Sequence, residues 1–195
     1  MTKLFNRLFI ASLKIFYTIK VSLFRIVVGH YAPADVLSRS LRPDIVLALY
    51  GAKIGNNVRI LPSIVLAMSR DMRDFSNLII GDDVYIGRNV FIDLAGEVKI
   101  GNRVTIGMFS RIYCHQNVGN SKLNELYPSV KGDIIIPDDT VIGTSVIILY
   151  PFSFTKGTFI AAGSVVSGNY NKPYVLAGNP ARPVPFRYGK KASEE

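Results

Sequence analysis

At 195 residues, 49% of them hydrophobic and 19% charged, the chain is long enough for one domain with its own core and too apolar to stay disordered. Its 23 basic and 14 acidic side chains leave a formal charge of +9, which points to anionic partners: a membrane surface, a nucleic acid or a phosphate-bearing ligand. A single cysteine, Cys114, excludes an internal disulfide and fits a reducing compartment.

Residues 3–28 are apolar and basic, with no acidic side chain before Asp35. A signal peptide would show an unbroken apolar core and a small-residue cleavage site. A membrane-spanning helix would need about 20 largely uncharged residues. Lys14, Lys20 and Arg25 interrupt the run and argue against both. At about 100° per residue, Lys3, Arg7, Lys14, Thr18, Ser22 and Arg25 share one narrow face. Leu4, Phe5, Leu8, Phe9, Phe16, Leu23, Phe24 and Val27 cover most of the rest. This pattern predicts an amphipathic helix over residues 1–30 that lies in the headgroup plane of an anionic leaflet. The alternative is that its apolar face packs on the protein itself or on a neighbouring subunit. His30 closes this segment, where histidine is a common helix-terminus residue. Residues 31–51 read as a Pro-interrupted connector, with room for a short helix after Pro33 or Pro43.

From residue 52 the chain repeats. Large aliphatic markers recur in steps of six at 54/60/66, 80/86/92, 100/106/112, 136/142/148 and 154/160/166, which gives about five coils. Gly follows many markers, as in Ile54-Gly55, Ile80-Gly81, Ile100-Gly101 and Ile142-Gly143, and Asn or Asp often comes next. Small or β-branched residues stand four positions after the markers: Val58, Val84, Val90, Val104, Ser110, Thr140, Val146, Thr158 and Ser164. A strand and a tight turn take about six residues, and three such units close one triangular coil. The large aliphatic fills the prism, the small residue fits the corner, and Gly with Asn or Asp supplies a permissive turn backbone. The expected solenoid spans residues 52–171. Its register breaks at residues 69–76, around Ala95-Gly96, and over residues 116–133, a long polar excursion of the kind that often carries function. Residues 172–195, with Pro173, Pro180, Pro183 and Pro185, read as an irregular tail.

Of the two histidines, His115 stands in the last hexad before the excursion, on a rigid coil, where a neutral imidazole could take a proton from a hydroxyl. Cys114 should face the other way, because neighbouring side chains on a strand alternate, and it reads as an inert thiol.

Residues 80–182 resemble the hexapeptide-repeat acyltransferases, especially the sugar, capsule or exopolysaccharide O-acetyltransferases. The matching features are the repeats, the His-bearing loop at Tyr113-Cys114-His115-Gln116, and the closing runs Ile160-Ala161-Ala162-Gly163-Ser164 and Ala177-Gly178-Asn179-Pro180-Ala181-Arg182. The resemblance implies an all-β left-handed parallel β-helix and a homotrimer. It implies acetyl transfer from acetyl-CoA to a hydroxyl of a glycan or lipid-linked glycan precursor, with His115 as general base. It implies Asp93 as the residue that helps place the acceptor. It implies a cofactor groove along the late coils at Thr144, Ser145, Ala161, Ala162 and Gly163, with cations Arg182, Arg187 and Lys190 for the phosphates. Two departures stand out: Thr140 where a Trp often precedes the Ile-Gly repeat, and Ser167-Gly168 where a Thr-Lys-Asp run is common. The competing readings are N-acetylation of an amino sugar nucleotide and a non-catalytic membrane scaffold. A zinc carbonic anhydrase on the same solenoid needs three His ligands, so no metal is expected. Nucleic-acid binding is not expected either, since aromatic-interleaved basic strands are missing. The expected location is the cytoplasmic, inner face of a bacterial cell membrane, peripherally attached.

Overall fold

The computed structural model describes residues 2–28, 32–68, 72–172 and 175–185. The expectations for His30, Arg187, Lys190 and residues 69–71 concern positions outside these, as do those for the side chains of Lys3, Leu4, Phe5 and Val27.

The repeats wind into a prism with three faces of parallel strands. One face stacks β1 (Lys53–Ile54), β4 (Leu78–Ile80), β7 (Val98–Ile100) and β12 (Ile134–Ile136). The second stacks β2 (Arg59–Ile60), β5 (Tyr85–Ile86), β8 (Thr105–Ile106), β13 (Val141–Ile142), β15 (Phe159–Ile160) and β17 (Val175–Gly178). The third stacks β3 (Val65–Ala67), β6 (Phe91–Asp93), β9 (Arg111–Tyr113), β14 (Ile147–Ser153) and β16 (Val165–Asn169). The six-residue markers stand in register from coil to coil. Ile60 aligns with Ile86, Ile106, Ile142, Ile160 and then Leu176. Leu66 aligns with Ile92, Ile112, Ile148 and Val166. Most of these side chains are fully buried, and each contributes about 1.5–3 kcal/mol through its removal from water. The small residues four positions on are buried too, apart from the half-buried Val58 of the first coil, and Ser110 Oγ ties its corner to the next coil by donating to Gly143 O at 2.8 Å.

The repeat's glycines work differently from the sequence expectation. A Cβ on Gly55, Gly81, Gly107 or Gly143 would lie 2.5–2.8 Å from backbone atoms of the adjacent coil, so close approach excludes a side chain there. The left-handed backbone falls two residues later, at the third position after the marker. Asn57, Asp83, Arg103 and Asp139 take φ of 52–57° along one edge, and Ser63, Asn89, Phe109 and Ser145 take 56–69° along the next. Asn and Asp tolerate this region; a Phe there is unusual.

Two further segments differ from the reading of the sequence. The excursion is organised as a ribbon: β10 (His115–Gln116) pairs antiparallel with β11 (Val130–Lys131), and a 3-10 turn, Lys122–Glu125, is capped by Ser121. The tail carries two strands between Val175 and Val184. β17 adds a further strand to the second face, and β18 (Ala181–Val184) folds back antiparallel on it. Val175 and Leu176 continue the alternation, and Pro183 fits because it sits on an edge strand, where a missing N–H costs no ladder bond.

Ahead of the solenoid, α1 (Thr2–Val28) packs on α2 (Ala32–Ser38) and α3 (Pro43–Leu49). Tyr17 and Val21 are buried in this junction, and Ser40 Oγ donates to Tyr17 OH at 2.8 Å.

Candidate functional site

The prism brings Asp93 and His115 together. Asp93 ends β6 and His115 opens β10, one coil apart, because β6 and β9 run in register. Asp93 is 2% exposed, so its carboxylate needs internal partners. Oδ1 accepts from Ala95 N–H at 3.0 Å, while Oδ2 accepts from Cys114 N–H at 3.2 Å and meets His115 Nδ1 in a short hydrogen bond. The His115 side chain is 41% exposed, which leaves its other edge open at the mouth of the ribbon. A carboxylate held by two backbone donors fixes the ring's orientation. When Nδ1 donates to it, the unprotonated Nε2 is presented outward.

The ribbon's base is clamped. Gly132 N–H donates to Cys114 O at 3.0 Å, and Glu97 N–H donates to Asp133 Oδ1 at 2.8 Å. Gly96 lies so close to the Gly132 carbonyl that it admits no Cβ, and the Tyr150 ring fills the space a Cβ on Gly132 would need.

Cys114 is buried while His115 is exposed. Gly96 N–H donates to Cys114 Sγ at 3.0 Å, and burial pushes the thiol up to about 11. The donor atoms of Asp93, Cys114 and His115 all lie within 4.8 Å of one another, a spacing a metal ion could use. The chemistry of the set fits poorly. Burial disfavours the thiolate that a metal would take, and Asp93 Oδ2 already accepts from two donors.

The residues expected to line a cofactor groove fall on one edge of the prism, between the second and third faces. Thr144, Ser145, Ala162 and Gly163 are exposed there, with Ala161 partly covered. They stack coil on coil through Ser145 N–H to Met108 O at 2.8 Å and Gly163 N–H to Thr144 O at 2.9 Å. Arg182 is exposed on β18 beside this edge; Gly178, in the same hairpin, donates to Ser164 Oγ at 3.2 Å. His115 does not share that edge within one chain. The whole of β9 separates it from Phe109, about 20 Å of extended backbone. Two features escaped the sequence reading. One is the bond from Asp93 to His115. The other is the exposed pair Met108 and Phe109 on the small-residue edge, with Phe109 53% exposed in left-handed backbone. The six-residue count carried a signal for Phe109, since it occupies the turn's third position.

No protein-family model matches the chain. Among curated proteins it is 28% identical over 157 residues to GlmU of Bartonella bacilliformis, covering 65% of this chain and 35% of that protein. It is 28% identical over 137 residues to WcaF of Escherichia coli, a colanic acid biosynthesis acetyltransferase, covering 69% of each. The chain thus spans only about a third of GlmU. In fold it resembles a hexapeptide-repeat acetyltransferase of Vibrio cholerae, with TM-score 0.65, 23% identity and 85% of this chain against 91% of that one. It also resembles a mutant of AntD, an N-acyltransferase from Bacillus cereus in complex with dTDP and coenzyme A, with TM-score 0.57, 22% identity, and 69% and 73% of the two chains. In its repeat, its fold and its sequence relatives, this chain is similar to the hexapeptide-repeat acyltransferases.

Proposed function

We propose that the protein transfers an acetyl group from acetyl-CoA to a hydroxyl of a glycan or lipid-linked glycan precursor, with His115 as general base. The observation that carries this reading is the bond between buried Asp93 and exposed His115. A sugar hydroxyl is a poor nucleophile until its proton is taken as it attacks. His115 Nε2 accepts that proton while the hydroxyl oxygen attacks the thioester carbonyl. The C–S bond then breaks, and the imidazolium returns the proton to the departing CoA sulfur. Asp93, to which the family resemblance gives the placing of the acceptor, also holds the ring and balances the imidazolium's charge. Acetyl-CoA as co-substrate suits the edge of small exposed residues at Thr144, Ser145, Ala162 and Gly163, with Arg182 near the phosphates. A homotrimer supplies what one chain lacks, by setting His115 of one copy against the small-residue edge of another.

The fold neighbour that is an N-acyltransferase in complex with dTDP favours a second reading, transfer to the amine of an amino sugar nucleotide. Hydroxyl and amino sugar acceptors, offered with acetyl-CoA and analysed by mass spectrometry, separate the two. An O-acetyl product that is lost in His115→Ala supports the proposal. An exclusively N-acetylated product, or His115→Ala turnover within about threefold of wild type, overturns it.

A further inference from the structure

We propose that α1 is a two-sided helix that fixes the solenoid to the plane of an anionic lipid bilayer: one side is glued to the protein and the other is immersed among lipid headgroups. Sequence pattern alone leaves open whether its apolar surface meets protein or lipid, and the fold divides that surface between them. Leu13, Tyr17, Val21 and Phe24 lie within one narrow sector and pack toward α2 and α3. On the far side Leu8, Ile15, Phe16, Ile19, Leu23 and Ile26 are 54–82% exposed and form an arc about 100° wide. The helix is 27 residues, about 40 Å, and this apolar arc follows it from Leu8 to Ile26.

Charge selects the occupant. Arg7, Lys14 and Arg25 flank the arc on one side and Lys20 on the other, and α1 carries no acidic residue. A second copy of the helix would bring these positive borders together with no carboxylate on either helix to meet them. An anionic leaflet meets both requirements, with phosphates for the borders and acyl chains for the arc. Beside the basic border a shallow cleft between α1 and the first coil is lined by Lys14, Arg42, Ile10, Ile45 and Ile54. Asp44 holds Arg42, whereas Lys14 has no ion pair among the described residues. That puts a cation above an apolar floor, as a phospholipid headgroup above its chain requires. No described helix is long and apolar enough to cross a membrane, so α1 lies in the surface.

The test is flotation of the full-length protein with phosphatidylcholine vesicles made with and without phosphatidylglycerol. The wild type should float with the anionic vesicles and be released by high salt. Arg7→Gln/Lys14→Gln/Arg25→Gln should weaken binding on the order of a hundredfold, about fivefold per cation. Ile15→Gln/Ile19→Gln/Ile26→Gln should abolish it. Circular dichroism and light scattering should show fold and oligomeric state unchanged in both. The proposal is overturned by a wild type that ignores anionic vesicles, or by one that binds neutral and anionic vesicles alike. It is equally overturned if the isoleucine variant changes the oligomer and not the binding, since a second copy would then cover the arc. Should a variant fail to fold, the wild-type dependence on lipid charge and salt still decides. Acetyl transfer to a soluble acceptor should be unaffected by these variants, so failure here leaves the proposed chemistry standing.

Discussion

Replacing Asp93 by Asn tests how the site works, because it keeps shape and volume while removing one acceptor. Asp93 now receives three hydrogen bonds, from Ala95 N–H, Cys114 N–H and His115 Nδ1. A carboxamide offers one oxygen and one NH₂ group. If the oxygen faces Ala95, the NH₂ points at Cys114 N–H and obliges His115 Nδ1 to accept. The ring proton then moves to Nε2, which can no longer take a proton from a hydroxyl. If the oxygen faces His115, the NH₂ opposes Ala95 N–H, and the imidazolium formed during transfer loses its counter-charge. The unsatisfied buried donor costs about 1–3 kcal/mol of stability in either case. Loss of the correct tautomer or of the counter-charge should lower turnover on the order of 10²–10⁴-fold. The assay is CoA release with a glycan acceptor, with acetyl-CoA affinity measured by calorimetry on the same sample. Affinity should hold while turnover falls, and adding Asp93→Asn to His115→Ala should cost little more, since the two act as a unit. Turnover within about threefold of wild type, or losses that multiply fully in the double variant, would refute the reasoning.

Ile106 is fully buried in register between Ile86 and Ile142, so Ile106→Ala should cost about 2–5 kcal/mol in urea unfolding. Gly107→Ala should also destabilise the protein, because its Cβ would stand 2.5 Å from Gly143 C and Thr144 N, backbone atoms that cannot swing aside. Cys114, with its thiol at about 11, is only about one part in a thousand thiolate at pH 8, so alkylation there should be at least roughly a hundredfold slower than for an ordinary exposed thiol; rapid labelling of the native protein would contradict its burial. Asp139 lies below its ordinary 3.8, first because Arg103 hydrogen-bonds it across the coils. A depressed carboxylate stabilises the fold above its unfolded value, and the effect is lost as pH falls through the folded one. Asp139→Asn should therefore lower the urea midpoint slightly at pH 7, and the difference should close below pH 3.8.

The solenoid was legible in the linear sequence because each coil obeys a local rule. An aliphatic every six residues must point inward, and a small residue four positions later must turn the corner; Ile106 and Ser110 could be placed from spacing alone. The tail misled because its prolines suggested irregular chain, whereas Pro183 costs nothing on an edge strand, and whether a strand is an edge is a fact about neighbours in space. The glycines misled for the same kind of reason: what excludes a Cβ on Gly107 is backbone 36 residues further on, at Gly143. His115 was visible as the histidine at the mouth of a loop, and Asp93 as an acidic residue one coil away. That Asp93 grips His115 follows from β6 and β9 stacking in register, with the carboxylate sealed where only Cys114, Ala95 and the imidazole can satisfy it. In α1 the apolar pattern was plain, but the side that would meet protein was not. That depended on where α2 and α3 fold against Tyr17 and Val21, because a hydrophobic surface carries no address until a second surface is set against it.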